Sequence, residues 1–75
     1  MQRTPVDSSM MASVGYDAVS HTLEIEFQSG RVYRYFDVPL RIHRDLMKAD
    51  SHGGYFNNEI RNDYTYTRLG PRRRS

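Results

Sequence analysis

Apolar and polar residues alternate on both sides of a single glycine between Leu23 and Phe36, and that alternation leaves the segment little choice but a β-hairpin. Leu23, Ile25 and Phe27 are interleaved with Glu24 and Glu26, and Tyr33 and Tyr35 flank Arg34. A three-residue loop, Gln28-Ser29-Gly30, suits glycine in the left-handed position with a bulge beside it. That loop pairs Phe27 with Arg31, Ile25 with Tyr33 and Leu23 with Tyr35. Both tyrosines then share the apolar face. Glu24 meets Arg34 on the other side, an opposite-charge pair worth ~0.2–1 kcal/mol. A loop one residue shorter would slip the register and set Arg34 against Ile25 on the apolar side.

A further strand precedes the hairpin. Ala12, Val14 and Tyr16 alternate with Ser13 and Gly15, and a loop at Ala18-Val19-Ser20-His21 would set Tyr16 against Leu23, Val14 against Ile25 and Ala12 against Phe27. The resulting apolar face needs a second layer. A helix starting at Pro39 supplies it, since proline suits the first helical position and the preceding Val38 is pushed out of helical angles. Ile42, Leu46 and Ala49 form its stripe, with Met47 at the edge. Ser51 reads as the cap of a second short helix in which Phe56 and Ile60 share one side. The expected fold class is α+β, a three-stranded antiparallel meander covered on one face by two short helices. Tyr64, Tyr66 and Leu69 offer a short C-terminal extended edge. Residues 1–5 read as a flexible N-terminus, 6–69 as a single domain and 70–75 as a basic disordered tail.

A chain of 75 residues without cysteine has room for one small core and no disulfide or cysteine-type zinc site. No apolar run approaches the ~20 residues of a membrane span, the N-terminus lacks the apolar core of a signal peptide, and the expected location is the cytoplasm. The net charge of +2 divides unevenly. Arg68, Arg72, Arg73 and Arg74 hold four of the 11 basic residues, which leaves the rest of the chain with seven against nine acidic ones, a mildly acidic body with a cationic end.

The ordered set Val6-Asp7-Ser8-Ser9, Val14-Gly15-Tyr16-Asp17, Leu23-x-Ile25-x-Phe27-x-x-Gly30, Tyr33-x-Tyr35, Val38-Pro39, Ser51-x-Gly53-x-Tyr55-Phe56-Asn57 and Ile60-Arg61-x-x-Tyr64 resembles the KTSC domain family. That module takes its name from the C-terminus of some lysyl-tRNA synthetases and also occurs as a free-standing small protein of bacteria and phages. The resemblance runs from about Val6 to Leu69. It implies no catalytic activity, because the synthetase catalytic domain is not part of it, and it attaches RNA binding to the module by analogy alone.

The candidate nucleic-acid contacts fall in three groups. Arg41, Arg44 and Lys48 make a basic ridge on the first helix, which Arg31, Arg34 and Arg61 extend; the alternative is a solvated face shared with Asp45 and Asp50. Tyr33 and Tyr35 would stack on bases if exposed, whereas the register places them under the helices with Leu23 and Ile25. The start of the second helix, with His52, Gly53, Asn57 and Arg61, offers backbone N–H groups to an anion or is simply a capped turn. Arg72 to Arg74 would add charge-driven affinity or serve only as a solubilising terminus. His21, His43 and His52 have no metal-ligand spacing, no nucleophile elbow is present, and neither a cofactor nor catalysis is expected. The function expected is a small binding module for RNA or another nucleic acid. The alternative is a protein-interaction module, with another protein or a second copy as partner. It would act through an edge strand at Arg31–Phe36 or Tyr64–Thr67, or through Val32 and Phe36 on the outer sheet face.

Overall fold

In the computed structural model, which describes residues 2–69, the hairpin takes the register that its alternation dictates. Leu23 pairs with Tyr35, Glu24 with Arg34 and Ile25 with Tyr33. Phe27 N–H donates to Arg31 O at 2.9 Å, and Gly30, at φ +94°, donates to Phe27 O at 2.9 Å to close the turn. Tyr16 pairs with Leu23 and Val14 with Ile25, also as expected.

The three-stranded meander is too small, however. The sheet has five antiparallel strands in sequential order: β1 (Arg3–Pro5), β2 (Met11–Asp17), β3 (Thr22–Phe27), β4 (Val32–Tyr35) and β5 (Tyr66–Leu69). The two additional strands are the outer ones. β1 arises from residues read as a flexible terminus; it has no alternation and carries Pro5, which an edge strand tolerates because one side of its backbone has no ladder to complete. β5 arises from the expected extended edge and pairs along β4, with Tyr66 opposite Tyr35 and Leu69 opposite Val32. Tyr66 and Leu69 therefore lie on opposite faces. The strand Arg31–Phe36, expected as an exposed edge, is interior to the sheet.

A second correction concerns Ala12. The pairing shifts between Met11 and Ser13, so that Met11 rather than Ala12 stands opposite Phe27. Ala12 is the extra residue of a β-bulge. Ser8 sets up the shift: its Oγ accepts from the N–H groups of Met10 and Met11 at 3.1 and 3.2 Å. Met11 becomes a fully buried core residue as a result.

The chain leaves β4, builds the helical layer and returns beside β4 as β5. Helix α1 covers Leu40–Lys48; Pro39 is its N-cap in extended conformation rather than its first helical residue. Ile42 and Leu46 are buried as the stripe requires. Helix α2 (His52–Tyr55) starts from Ser51, whose Oγ accepts from Gly54 N–H at 3.0 Å, and continues as a π-helical turn over Phe56–Ile60. Phe56 and Ile60 complete a core with Val14, Leu23, Ile25, Tyr35, Val38, Ile42 and Leu46. Tyr16 pins the first helix by donating from its hydroxyl to Val38 O.

The outer face of the sheet carries a charged row. Arg3, Gly15, Glu24 and Arg34 are successive partners across β1 to β4. Gly15 puts no side chain between Arg3 and Glu24. The Glu24 carboxylate, almost entirely covered, meets Arg3 at 3.4 Å and Arg34 at 2.9 Å. Arg72 to Arg74 and the rest of residues 70–75 lie outside the described residues.

Candidate functional site

The inner sheet face is longer than the helices that cover it, and the site begins where they stop. Tyr35 lies under the helical layer, 3% exposed, with the Phe56 ring edge-on at 5.6 Å. Tyr33, two residues earlier on the same face, is only half-buried. Its ring neighbours are Phe27 at 5.7 Å, Tyr35 at 6.4 Å and Tyr66 at 5.4 Å. Phe27, Tyr33, Tyr35, Phe56 and Tyr66 together line a cleft of about 670 Å³.

Two arginines join them. Arg31 follows Gly30 at the hairpin turn, and Arg61 follows the π-helical turn; both are exposed and both line the cleft. The π turn explains the position of Arg61. Its N–H bonds to Phe56 O, five residues back, at 2.9 Å, so the wider turn brings Arg61 round to the side of Phe56. Ser9, Ser29 and Asn62 supply neutral polar groups, and no aspartate or glutamate is among the described residues that line the space. Arg68, exposed, is the partner of Tyr33 across β4 and β5 and so shares this face. Burial pushes the Tyr35 hydroxyl up to about 12, Tyr33 and Tyr66 add to the rise, and Arg61 opposes it. The phenol therefore stays protonated and able to donate a hydrogen bond near neutral pH.

The structure sorts the sequence candidates by place. Tyr33, Tyr35 and Arg61 meet in the cleft. Arg34 does not: it lies on the outer face, tied to Glu24. Arg41, Arg44 and Lys48 are exposed along α1, and none of them lines the cleft. Asn57 is exposed and outside it, where Asn62 takes part instead. At the start of α2 the Gly54 N–H already serves Ser51 Oγ and the Tyr55 N–H serves Ser51 O at 3.0 Å. His52 Nδ1 is 2.8 Å from Leu46 O, which ties α2 to α1. Gly53 has a packing role: a Cβ there would stand 2.9 Å from Met10 Sδ. His43 stacks on Tyr16 at 4.9 Å with the rings 7° from parallel, and burial lowers its pKa. The described residues contain no cluster of three or more histidine or acidic side chains arranged to hold a metal ion.

Tyr66 and Phe27 were missed as site residues. The odd spacing of Tyr64, Tyr66 and Leu69 pointed to an extended segment, but only pairing with β4 sets the Tyr66 ring 5.4 Å from both Tyr33 and Tyr35.

Comparison with known proteins places the chain and its fold. The family model described as the KTSC domain matches residues 7–64. An uncharacterized protein from Stutzerimonas stutzeri is 41% identical over 70 residues, covering 92% of this chain and 99% of that one. A lysine–tRNA ligase from Trichormus variabilis is 38% identical over 63 residues, which are 84% of this chain but 11% of the ligase. The chain thus spans about a tenth of the length of that enzyme. The crystal structure of a KTSC domain protein from Yersinia pestis superposes with a TM-score of 0.87 at 40% identity, covering 92% of this chain and 97% of that one. With the family model spanning most of its length and a solved member sharing its fold, the chain belongs to the KTSC domain family.

Proposed function

We propose that this KTSC domain is a non-catalytic binding module for RNA and that the aromatic cleft is its contact surface. One observation carries the reading: a concave space walled by aromatic rings, flanked by Arg31 and Arg61, without an acidic side chain among its described lining residues. Aromatic side chains recognise bases by stacking, worth on the order of 1–3 kcal/mol per base, and arginine meets phosphate with a planar fork of donors. The kinship with a segment of lysine–tRNA ligases, whose name states tRNA as a substrate, supports the same class of ligand. This reading moves the contact away from the α1 ridge and the start of α2. No helix among the described residues is long and apolar enough to cross a membrane, so the reading includes no membrane span.

The test is an NMR titration with a short unstructured RNA. Shifts gathered on Phe27, Tyr33, Arg61 and Tyr66 are expected, with a salt slope of about −1.4 for two phosphate contacts. Arg31→Glu and Arg61→Glu each weaken binding. Shifts confined to α1, or binding abolished only by changes at Arg41, Arg44 and Lys48, would refute the cleft as the contact. Chemical-shift changes that grow with protein concentration and centre on Phe36, 37% exposed on the outer face, would favour an interaction between proteins instead.

A further inference from the structure

We infer, resting on the RNA reading, that the cleft takes an unpaired base stacked on Tyr66 and excludes duplex RNA. The five rings of the cleft are not equivalent. Phe27 and Phe56 present edges to their neighbours, with interplanar angles of 86° to Tyr33, 69° to each other and 76° between Phe56 and Tyr35. Tyr33 and Tyr35 lie nearly parallel, 22° apart, and pack against one another. Tyr66 is tilted by 42° and 36° to those two and remains 55% exposed. It is the ring with the most open surface in the cleft, and it stands on the outermost strand.

A base can reach that surface only if its own face is free. In a duplex each base is covered above and below by its neighbours, and side chains meet grooves, hydroxyls and phosphates rather than ring faces. Stacking on Tyr66 therefore selects a base without those neighbours. The cations fit such a ligand. Arg31 and Tyr35 are four residues apart along the hairpin strand, roughly 13 Å at ~3.3 Å per residue, and Arg61 lies close enough to Tyr35 to influence its hydroxyl. Both guanidinium groups border the cleft, placed for phosphates beside an inserted base. Tyr66 lies just past residues 7–64, the segment matched by the family model, so this contact belongs to the strand that closes the sheet.

Three RNA probes test the inference by fluorescence anisotropy: an unstructured single strand, the same strand annealed to its complement, and the same strand carrying abasic sites. The single strand is expected to bind, with the duplex and the abasic strand weaker by about tenfold, the equivalent of roughly 1.4 kcal/mol of lost stacking. Tyr66→Ala weakens the single strand by a similar factor, and Tyr66→Phe retains it. If Tyr66→Ala fails to fold by circular dichroism, the abasic and duplex probes on the unaltered protein still decide. Equal binding of single strand, duplex and abasic strand sinks the inference and leaves the RNA reading standing, as does undiminished binding by folded Tyr66→Ala. Absence of binding to any of the three overturns both.

Discussion

Tyr33 and Tyr35 sit on one strand, face one side of one sheet, carry the same side chain and both touch the cleft, yet they are covered to different depths. Tyr35 is core, covered by the π-helical turn through Phe56. Tyr33 is cleft wall, flanked by Phe27 and Tyr66 with space beside it. The difference comes from the reach of the second layer rather than from the strand. Along β4 the helical layer covers Tyr35 and stops short of Tyr33, and the uncovered part keeps aromatic surface that a fully roofed core would have sealed.

Alanine substitutions along this face separate the covered ring from the open ones most strongly. Tyr35→Ala is expected to cost about 3–5 kcal/mol in denaturant unfolding, as for other large buried rings. Tyr33→Ala should cost about 1–2 kcal/mol and Tyr66→Ala below about 1 kcal/mol, because less surface is withdrawn from water at each. Equal losses at Tyr33 and Tyr35 would show that both are core.

Alkaline titration sharpens the contrast. Tyr35 has its pKa raised from 10.0 to about 12 in the folded chain, chiefly by burial. The folded state therefore favours the neutral phenol. The associated stability is complete below pH 10 and fades as the pH climbs toward 12, by on the order of 1–2 kcal/mol. Burial raises Tyr16 and Tyr55 as well, so absorbance of phenolate should show Tyr35 as the last to ionise, and Tyr35→Phe should remove that last step.

The opposite sheet face provides a control built on charge instead of rings. Glu24→Gln leaves Arg3 and Arg34 facing one another without the carboxylate between them. We expect a loss of about 1–2 kcal/mol, tempered because both arginines are about one-third exposed. RNA binding should be unchanged, since none of the three lines the cleft. An equal loss of RNA affinity would join the two faces into one site.

The smallest effect concerns His43. Burial lowers its pKa below 6.5, so the folded state favours the neutral ring stacked on Tyr16. The contribution is present above pH 6.5 and is lost as the pH falls through the lowered value. The titration of His43 followed by NMR should have its midpoint below 6.5, and a midpoint at or above that value would contradict the packing.

The sequence alone determined what depends on neighbours along the chain and on a period of two. The pairs Leu23–Tyr35 and Ile25–Tyr33, the turn at Gly30, the Ser51 cap and the buried stripe of Ile42 and Leu46 were all legible, because a slip at any of them exposes apolar groups or buries a charge. The tertiary structure decided the rest. Arg3–Pro5 becomes a strand only because β2 offers it an edge, its own residues lacking the pattern, and the extended edge legible at Tyr64, Tyr66 and Leu69 becomes a fifth strand by pairing with β4. The bulge that exchanges Ala12 for Met11 depends on Ser8 and on Phe27 across the sheet. The cleft depends on how far two helices extend over five strands, a property of the assembled layers to which no single segment holds the key.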